Sequence, residues 1–197
     1  TPKHLNTEIK KINTIDPTLF FRELTWKIPG KSELITKEVK PYLIIVPNSG
    51  IRVQLWQEMV NNQRHSRARL IVPAIFNGIQ EKSLIQSFAH FRWELNKLIA
   101  GANWMDPVEG GFVGAFYDFS QYYQKMNELS IEAKEDIKML FNKIKMDRDR
   151  FAYFYEKWLM YEKDGVAKVN KVVRQIFYRY IPFPKHIRDR LCHLPLF

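Results

Sequence analysis

The sequence predicts a mainly α-helical domain with a small extended or β element within residues 40–76. Apolar residues recur at helix spacing through most of residues 79–180, whereas two short β-branched segments bounded by proline lie within residues 40–76. The composition, 46% hydrophobic and 14% aromatic over 197 residues, can form one sizeable core. We therefore predict a single domain over residues 17–197, as part of a longer protein.

The first part of the chain carries weak signals. Residues 1–16 are polar and predict an N-terminal lead-in that frays at the entry to the domain. Asp16 and Pro17 are typical of a helix start, because aspartate caps free amides and proline fits the first helical position. The segment DPTLFFRELTW, residues 16–26, is therefore predicted to begin a helix.

Two short segments are predicted to be strands or extended core segments. YLIIVP, residues 42–47, and RLIVPAIF, residues 69–76, are rich in β-branched residues and contain proline. Between them, residues 50–60 read GIRVQLWQEMV, where the alternation of Val53 and Leu55 changes to the spacing of Trp56, Met59 and Val60. This change favours a helix there.

A long helix is predicted from residue 79 onward. Its apolar residues repeat at helix spacing: Leu84, Phe88, Phe91, Leu95 and Leu98. Gly101 follows, where a glycine in the left-handed conformation would end the helix.

Two further helical regions follow. Ser130 is predicted to cap the first, which is either one long helix or two helices joined near Met146. Its aromatic stripe is predicted to be core rather than a base-stacking surface: Phe151, Phe154, Tyr155, Trp158 and Tyr161. The last helix is predicted from Val166 to Tyr180, before Pro182. From these patterns we expect six side chains in particular to be buried: Phe88, Phe91, Leu95, Trp158, Val172 and Ile176.

The glycine-rich stretch ANWMDPVEGGFVGAFYDF, residues 102–119, does not match a phosphate-binding loop. Gly110, Gly111 and Gly114 are spaced G-G-x-x-G, and no Lys followed by Ser or Thr comes after them. We instead predict a turn at Asp106-Pro107, a positive φ angle at Gly110 or Gly111, and a close approach at Gly114. The sequence thus predicts no nucleotide or other cofactor.

Candidate metal or acid–base residues are present without a signature motif. Asp106, Glu109 and Asp118 surround the glycines, and His90 and Glu94 lie at i, i+4 of one helix face. Exposure of that face to solvent is the stronger interpretation, because it explains the last two without a metal ion. Cys192, near His186 and His193, is interpreted as a small buried hydrophobic residue rather than a nucleophile. No metal site is predicted.

Net charge restricts the functional classes. The chain carries a net charge of +10, with 12 Lys and Arg against 6 Asp and Glu in residues 1–70, and 8 against 2 in residues 163–197. Residues 71–162 are slightly acidic, with 11 against 13.

The longest apolar runs are too short to span a membrane. A single cysteine fits a reducing compartment, so we expect a cytoplasmic location.

Basic clusters near both ends are the candidate binding residues. They are Arg64, Arg67 and Arg69 in the first cluster and Lys168, Lys171, Tyr178, Arg179, Arg188 and Arg190 in the second. The leading hypothesis is a non-enzymatic interaction or scaffolding module that binds an acidic protein partner or other domains of the same longer chain. The alternative is a nucleic-acid-binding module. The third hypothesis is an enzyme whose site is assembled only on folding.

Overall fold

A computed structural model of the chain describes residues 2–16, 21–28, 31–38, 40–47, 52–56, 69–75 and 78–181. Its helices are α1 (Pro2–Ile15), α2 (Gly78–Ala100), α3 (Gly111–Tyr122), α4 (Ile131–Lys143), α5 (Asp147–Tyr161) and α6 (Lys171–Tyr180). Its strands are β1 (Phe21–Ile28), β2 (Lys31–Glu38), β3 (Tyr42–Val46), β4 (Gln54–Trp56) and β5 (Arg69–Pro73). The predicted mainly α fold with a small strand element is confirmed.

The N-terminal segment is a docked helix, not the frayed lead-in that its polarity predicts. Leu5, Ile12 and Ile15 share one face of α1 and are buried. Asp16 directly after the helix is also buried, and its Oδ2 accepts a 2.7 Å hydrogen bond from the Tyr155 hydroxyl of α5. Ile9 packs against the same core, so four apolar residues attach a segment that is otherwise polar, which explains why its mean polarity was misleading.

The helix predicted to begin at Asp16 is wrong, because residues 21–28 form a strand. β1 pairs antiparallel with β2 along its whole length, from Phe21 opposite Glu38 to Ile28 opposite Lys31. This hairpin also places β structure outside residues 40–76. The conformation of residues 21–28 depends on backbone pairing with β2, and the capping residues at 16 and 17 give no information about that pairing.

Both predicted strands are confirmed and belong to a three-stranded sheet of order β3-β5-β4. β3 runs parallel to β5, and β4 runs antiparallel to it. The helix favoured for residues 50–60 is wrong at residues 54–56, which form β4. Val53 before this strand is held by α2, since its N–H donates to Ser83 Oγ at 3.2 Å and its carbonyl accepts from Ser87 Oγ at 3.0 Å. Those tertiary hydrogen bonds favour the extended chain.

The long helix α2 forms the centre of the fold and packs along α5. Phe88, Phe91, Leu95 and Trp158 are buried, as predicted. Gly101 follows α2 with φ of 64°, which confirms the left-handed conformation.

Aromatic rings from four helices meet around Phe151 of α5. Its ring centroid lies 5.5 Å from those of Trp93 in α2 and Phe116 in α3, and 5.6 Å from that of Phe177 in α6. The aromatic stripe of α5 is therefore core, as predicted, except that Tyr161 at its end is exposed. Edge-to-face and tilted ring pairs of this kind stabilise the core beyond the area they bury.

The last three helices refine the predicted boundaries. Ser130 caps α4 by accepting a hydrogen bond from the Ala133 N–H at 3.2 Å, as predicted. The 130–161 region is two helices, and α5 begins after Met146. Arg150 secures this junction, since its Nε donates to the Ile144 carbonyl at 2.8 Å and its Nη1 donates to Ser120 Oγ of α3 at 2.8 Å.

α6 begins later than predicted, at Lys171 rather than Val166. The side chain of Asn170 caps it by accepting from the Val173 N–H at 3.0 Å. Val172 and Ile176 are only half-buried, because Val173 and Phe177 form the inner face of α6. The sequence-based prediction therefore placed the buried face of α6 one residue too early along the chain.

Candidate functional site

The inner face of α6 contains a buried cation with its own partner. Arg174 and Glu162 form a bidentate ion pair, with Nε 2.6 Å from Oε1 and Nη2 3.0 Å from Oε2, and each side chain is 1% exposed. Burial raises the pKa of Glu162, and the hydrogen bond from Arg174 opposes this effect. Arg174 therefore belongs to the fold and is not accessible to a partner.

The outer face of α6 presents the remaining cations to solvent. Lys171, Tyr178 and Arg179 share one side of α6 by helix spacing, where both cations are exposed and Tyr178 is half-buried. Lys168 is also exposed, in the segment before the helix. Among the described residues, no carboxylate forms an ion pair with Lys168, Lys171 or Arg179. We call Lys168, Lys171, Tyr178 and Arg179 the α6 basic surface.

A cleft between α4 and α5 adjoins the α6 basic surface at Lys168. The cleft has a volume of about 160 Å³, and its apolar walls include Ile137, Leu140 and Phe154. Lys157 and Lys168 both border it. The Lys157 ammonium lies 4.6 Å from the centre of the Tyr153 ring, within range of a cation–π interaction.

Lys157 is a candidate binding residue that the sequence reasoning missed. Its neighbour Glu156 does not neutralise it, because the Glu156 side chain is buried on the other side of α5. There it accepts a hydrogen bond from Gln86 at 2.7 Å and lies 3.1 Å from Lys82 Nζ. Helix geometry could have indicated this separation from the sequence, because the side chains of consecutive residues point about 100° apart around a helix.

The other predicted cations do not join this surface within the described structure. Arg69 lies in β5, half-buried, with its backbone opposite Tyr42 and Trp56 in neighbouring strands. Arg64, Arg67, Arg188 and Arg190 lie outside the described residues.

The glycine segment is a tight turn packed against the start of α3. One carboxylate oxygen of Asp106 accepts from the Val108 and Glu109 N–H groups, at 2.7 and 2.8 Å, and these bonds lower the pKa of Asp106. The Gly110 N–H donates to the Asp106 carbonyl at 2.8 Å, and Gly111 has φ of 60°. These amides bind their own turn, which supports the structural interpretation over a phosphate loop.

The candidate metal or acid–base residues are held by separate partners. His90 Nε2 lies 3.0 Å from Asp149 Oδ1, and Glu94 lies 3.6 Å from Arg148. Burial and the positive charge of Arg148 lower the pKa of His90. His90 and Glu94 thus bind α5 instead of facing solvent alone.

The remaining acids of this set lie elsewhere. Glu109 accepts a hydrogen bond from Asn103, and Asp118 lies on α3. In the part of the chain that the structure describes, no three His, Cys, Asp or Glu side chains are grouped so that they could hold a metal ion.

The fold and its exposed cations define a mainly α-helical domain with a basic helix surface. Comparison with known proteins shows that part of the chain is similar to one family. Residues 101–197 match a family described as a domain of unknown function (DUF8509). The matched region begins where α2 ends and includes the α6 basic surface. No curated protein and no solved structure matches the chain. Within the described ranges, no helix combines the length and apolar character needed to cross a bilayer.

Proposed function

We propose that the chain is a non-enzymatic interaction module of a larger cytoplasmic protein, and that its α6 basic surface binds an acidic partner. The acidic partner is another protein or another domain of the same longer chain. One observation carries this proposal: the cations in and just before α6 differ in exposure, since Arg174 is buried against Glu162 while Lys168, Lys171 and Arg179 are exposed without carboxylate partners among the described residues. The single cysteine, which fits a reducing compartment, supports the cytoplasmic location.

The dimensions of the surface favour a protein partner over nucleic acid. Lys171 and Arg179 are eight residues apart, which corresponds to about 12 Å along a helix. This stripe is short, and the adjoining cleft can accept a single side chain. Asp136 of α4 is exposed and borders the cleft, so it interrupts the basic surface that a continuous phosphate backbone would need. Complementary charge would mainly speed association with the acidic partner and orient it.

Nucleic acid is the second candidate, since the clusters containing Arg64 and Arg188 could extend a basic surface. A nucleic-acid-binding module would bind any base sequence, and its affinity would fall steeply as the salt concentration rises. An enzyme is the third hypothesis. A site assembled with residues outside the described part of the chain would support it.

The experiment compares two double variants of equal charge change. Lys171→Glu/Arg179→Glu reverses the α6 basic surface, and Lys143→Glu/Lys145→Glu reverses two exposed lysines at the end of α4. Fluorescence anisotropy would follow binding of a labelled Glu-rich peptide and of a labelled DNA duplex over a range of salt concentrations. We expect the α6 variant to bind the peptide about fivefold to tenfold more weakly and the control variant to change little.

Equal loss in both variants would show that net charge, and not the α6 basic surface, attracts the peptide. Tight DNA binding that only the α6 variant loses would instead favour the nucleic-acid module.

A further inference from the structure

β3 is an apolar strand whose side chains are exposed on both faces of the sheet in the described structure. Its sequence, YLIIV, has the continuous apolar character of a strand buried on both sides. Yet Leu43 and Ile45 are 45% and 46% exposed, whereas their neighbours on the same face of β5, Leu70 and Val72, are 2% and 1% exposed. The apolar face that is buried on β5 therefore continues onto β3, where about half of it is exposed.

The backbone of β3 also has an open side. The Val46 carbonyl accepts from the Ala74 N–H at 2.7 Å, so the main-chain groups of Val46 face β5. Because these groups alternate along a strand, the N–H and C=O of Leu43 and Ile45 point away from β5. In the described sheet β3 is at the edge and pairs with β5 alone. Such an edge can accept an added strand.

A cavity of about 450 Å³ lies beside this edge, between α1, β3 and α2. Its volume is within the range of ligand-binding pockets. Its apolar lining consists of Ile9, Leu43, Leu70 and Phe88. The cavity can therefore take one or two apolar side chains from a segment that pairs with β3.

The polar groups of the same cavity indicate the charge of the occupant. Lys10 of α1 and Lys40 before β3 both border the cavity, and among the residues that the structure describes no acidic side chain borders it. Asn13 also borders it, and its Oδ1 is buried without a hydrogen-bond partner in the described structure. An unsatisfied buried acceptor is costly, so a donor at this place would be stabilising.

We propose that β3 and this cavity bind an extended peptide segment of a partner protein, which carries alternating apolar and acidic side chains. The peptide adds a strand to the free edge of β3. One of its apolar side chains enters the cavity, and a neighbouring carboxylate lies near Lys10. This site is separate from the α6 basic surface and does not depend on it.

Charge decides against a second copy of this chain as the occupant. The chain has a net charge of +10, so two copies repel each other, and both copies carry the same cations, Lys10 and Lys40, at the cavity beside the edge. An acidic peptide instead complements these cations, and its free N–H groups complete the hydrogen bonds of Leu43 and Ile45.

The test uses a labelled peptide of about ten residues with alternating Val and Glu, and a second peptide with Lys in place of Glu. Ile45→Pro removes an outward N–H and an apolar side chain without removing a hydrogen bond to β5, and Ile45→Val is its control. Lys10→Glu reverses the charge at the cavity, and Lys3→Glu is the matched change on α1 away from the cavity.

We expect the Glu peptide to bind the complete chain about tenfold more weakly after Ile45→Pro and about fivefold more weakly after Lys10→Glu. Ile45→Val and Lys3→Glu should stay within about twofold. If circular dichroism shows that Ile45→Pro does not fold, Leu43→Asp tests the same edge, because it places a carboxylate at the cavity that repels the Glu peptide, with the same tenfold loss expected.

Three results would overturn the proposal. The first is no binding of the Glu peptide at millimolar concentration, and the second is equal binding of the Lys peptide. The third is a dimer in sedimentation experiments that Ile45→Pro dissociates, since this would assign the edge to a second copy of the chain.

Discussion

Replacing Gly114 by alanine should destabilise the protein, although alanine is the better helix former by about 1 kcal/mol. A Cβ on Gly114 would lie 1.8 Å from the Asp106 carbonyl oxygen and 2.7 Å from the Asp106 carbonyl carbon. These are backbone atoms, held by the 2.8 Å hydrogen bond from the Gly110 N–H. The turn would have to move by more than 1 Å to restore ordinary contact, and that movement would break or lengthen this bond.

Three contributions determine the expected change in the free energy of unfolding, two of them destabilising and one stabilising. Overpacking of rigid atoms costs about 3 kcal/mol at the upper end of the usual range. Loss of the Gly110 hydrogen bond adds about 1 kcal/mol, and the helix propensity of alanine offsets about 1 kcal/mol. We expect Gly114→Ala to lower the free energy of unfolding by about 3 kcal/mol, which corresponds to about 6 to 12 °C in Tm for a chain of this size.

Urea unfolding followed by circular dichroism at 222 nm would measure this change, with the m value unchanged if both states keep their compactness. Gly111 provides a control with a different mechanism, because a Cβ there meets nothing within 4 Å but its φ is +60°. Gly111→Ala should cost about 1 to 2 kcal/mol, and Gly111→Asn should cost less. If Gly114→Ala were as stable as the wild type, or more stable, the close backbone approach at Asp106 would be refuted.

Three further predictions concern buried groups of the helical core. Phe91→Ala should lower the free energy of unfolding by about 3 to 5 kcal/mol, because Phe91 is fully buried, and an unchanged urea midpoint would contradict this. Burial and Arg148 lower the pKa of His90, so the unfolded chain binds this proton more tightly and stability should fall as pH decreases through about 6.5. His90→Gln should flatten that part of the pH profile measured by urea unfolding, and a profile as steep as that of the wild type would exclude His90 as its cause. Arg174→Met should cost about 3 to 5 kcal/mol, because it leaves the Glu162 carboxylate buried and unpaired, and adding Glu162→Leu should restore part of the loss in thermal unfolding. No recovery in the double variant would show that packing, and not the unpaired charge, causes the loss.

Elements with strong internal periodicity were predictable from the sequence. The repeat that begins at Leu84 predicts α2, because burial of one side of a helix sets the spacing of its apolar residues. The short β-branched segments that contain proline predict β3 and β5. Ser130 likewise identifies the start of α4, because a cap acts within its own first turn.

Elements that depend on distant partners were not predictable in this way. The hairpin of β1 and β2 and the short strand β4 are defined by pairing between segments, and Val53 is held in place by serines of α2. α1 is attached through few apolar residues and a buried carboxylate, Asp16, that meets Tyr155 across the fold. Such contacts join residues far apart in the chain, so no local pattern records them.

The sequence by itself determined the class of the protein, the main helices, the structural role of the glycine segment and the presence of basic residues near both ends. Only the tertiary structure decided which charges are accessible. Arg174 and Glu162 neutralise each other inside the fold, and Glu156 is buried away from Lys157, whereas Lys171 remains exposed. The physical reason is that a charge affects a partner according to its burial and its nearest counter-charge, and both are properties of the packed helices rather than of the order of residues along the chain.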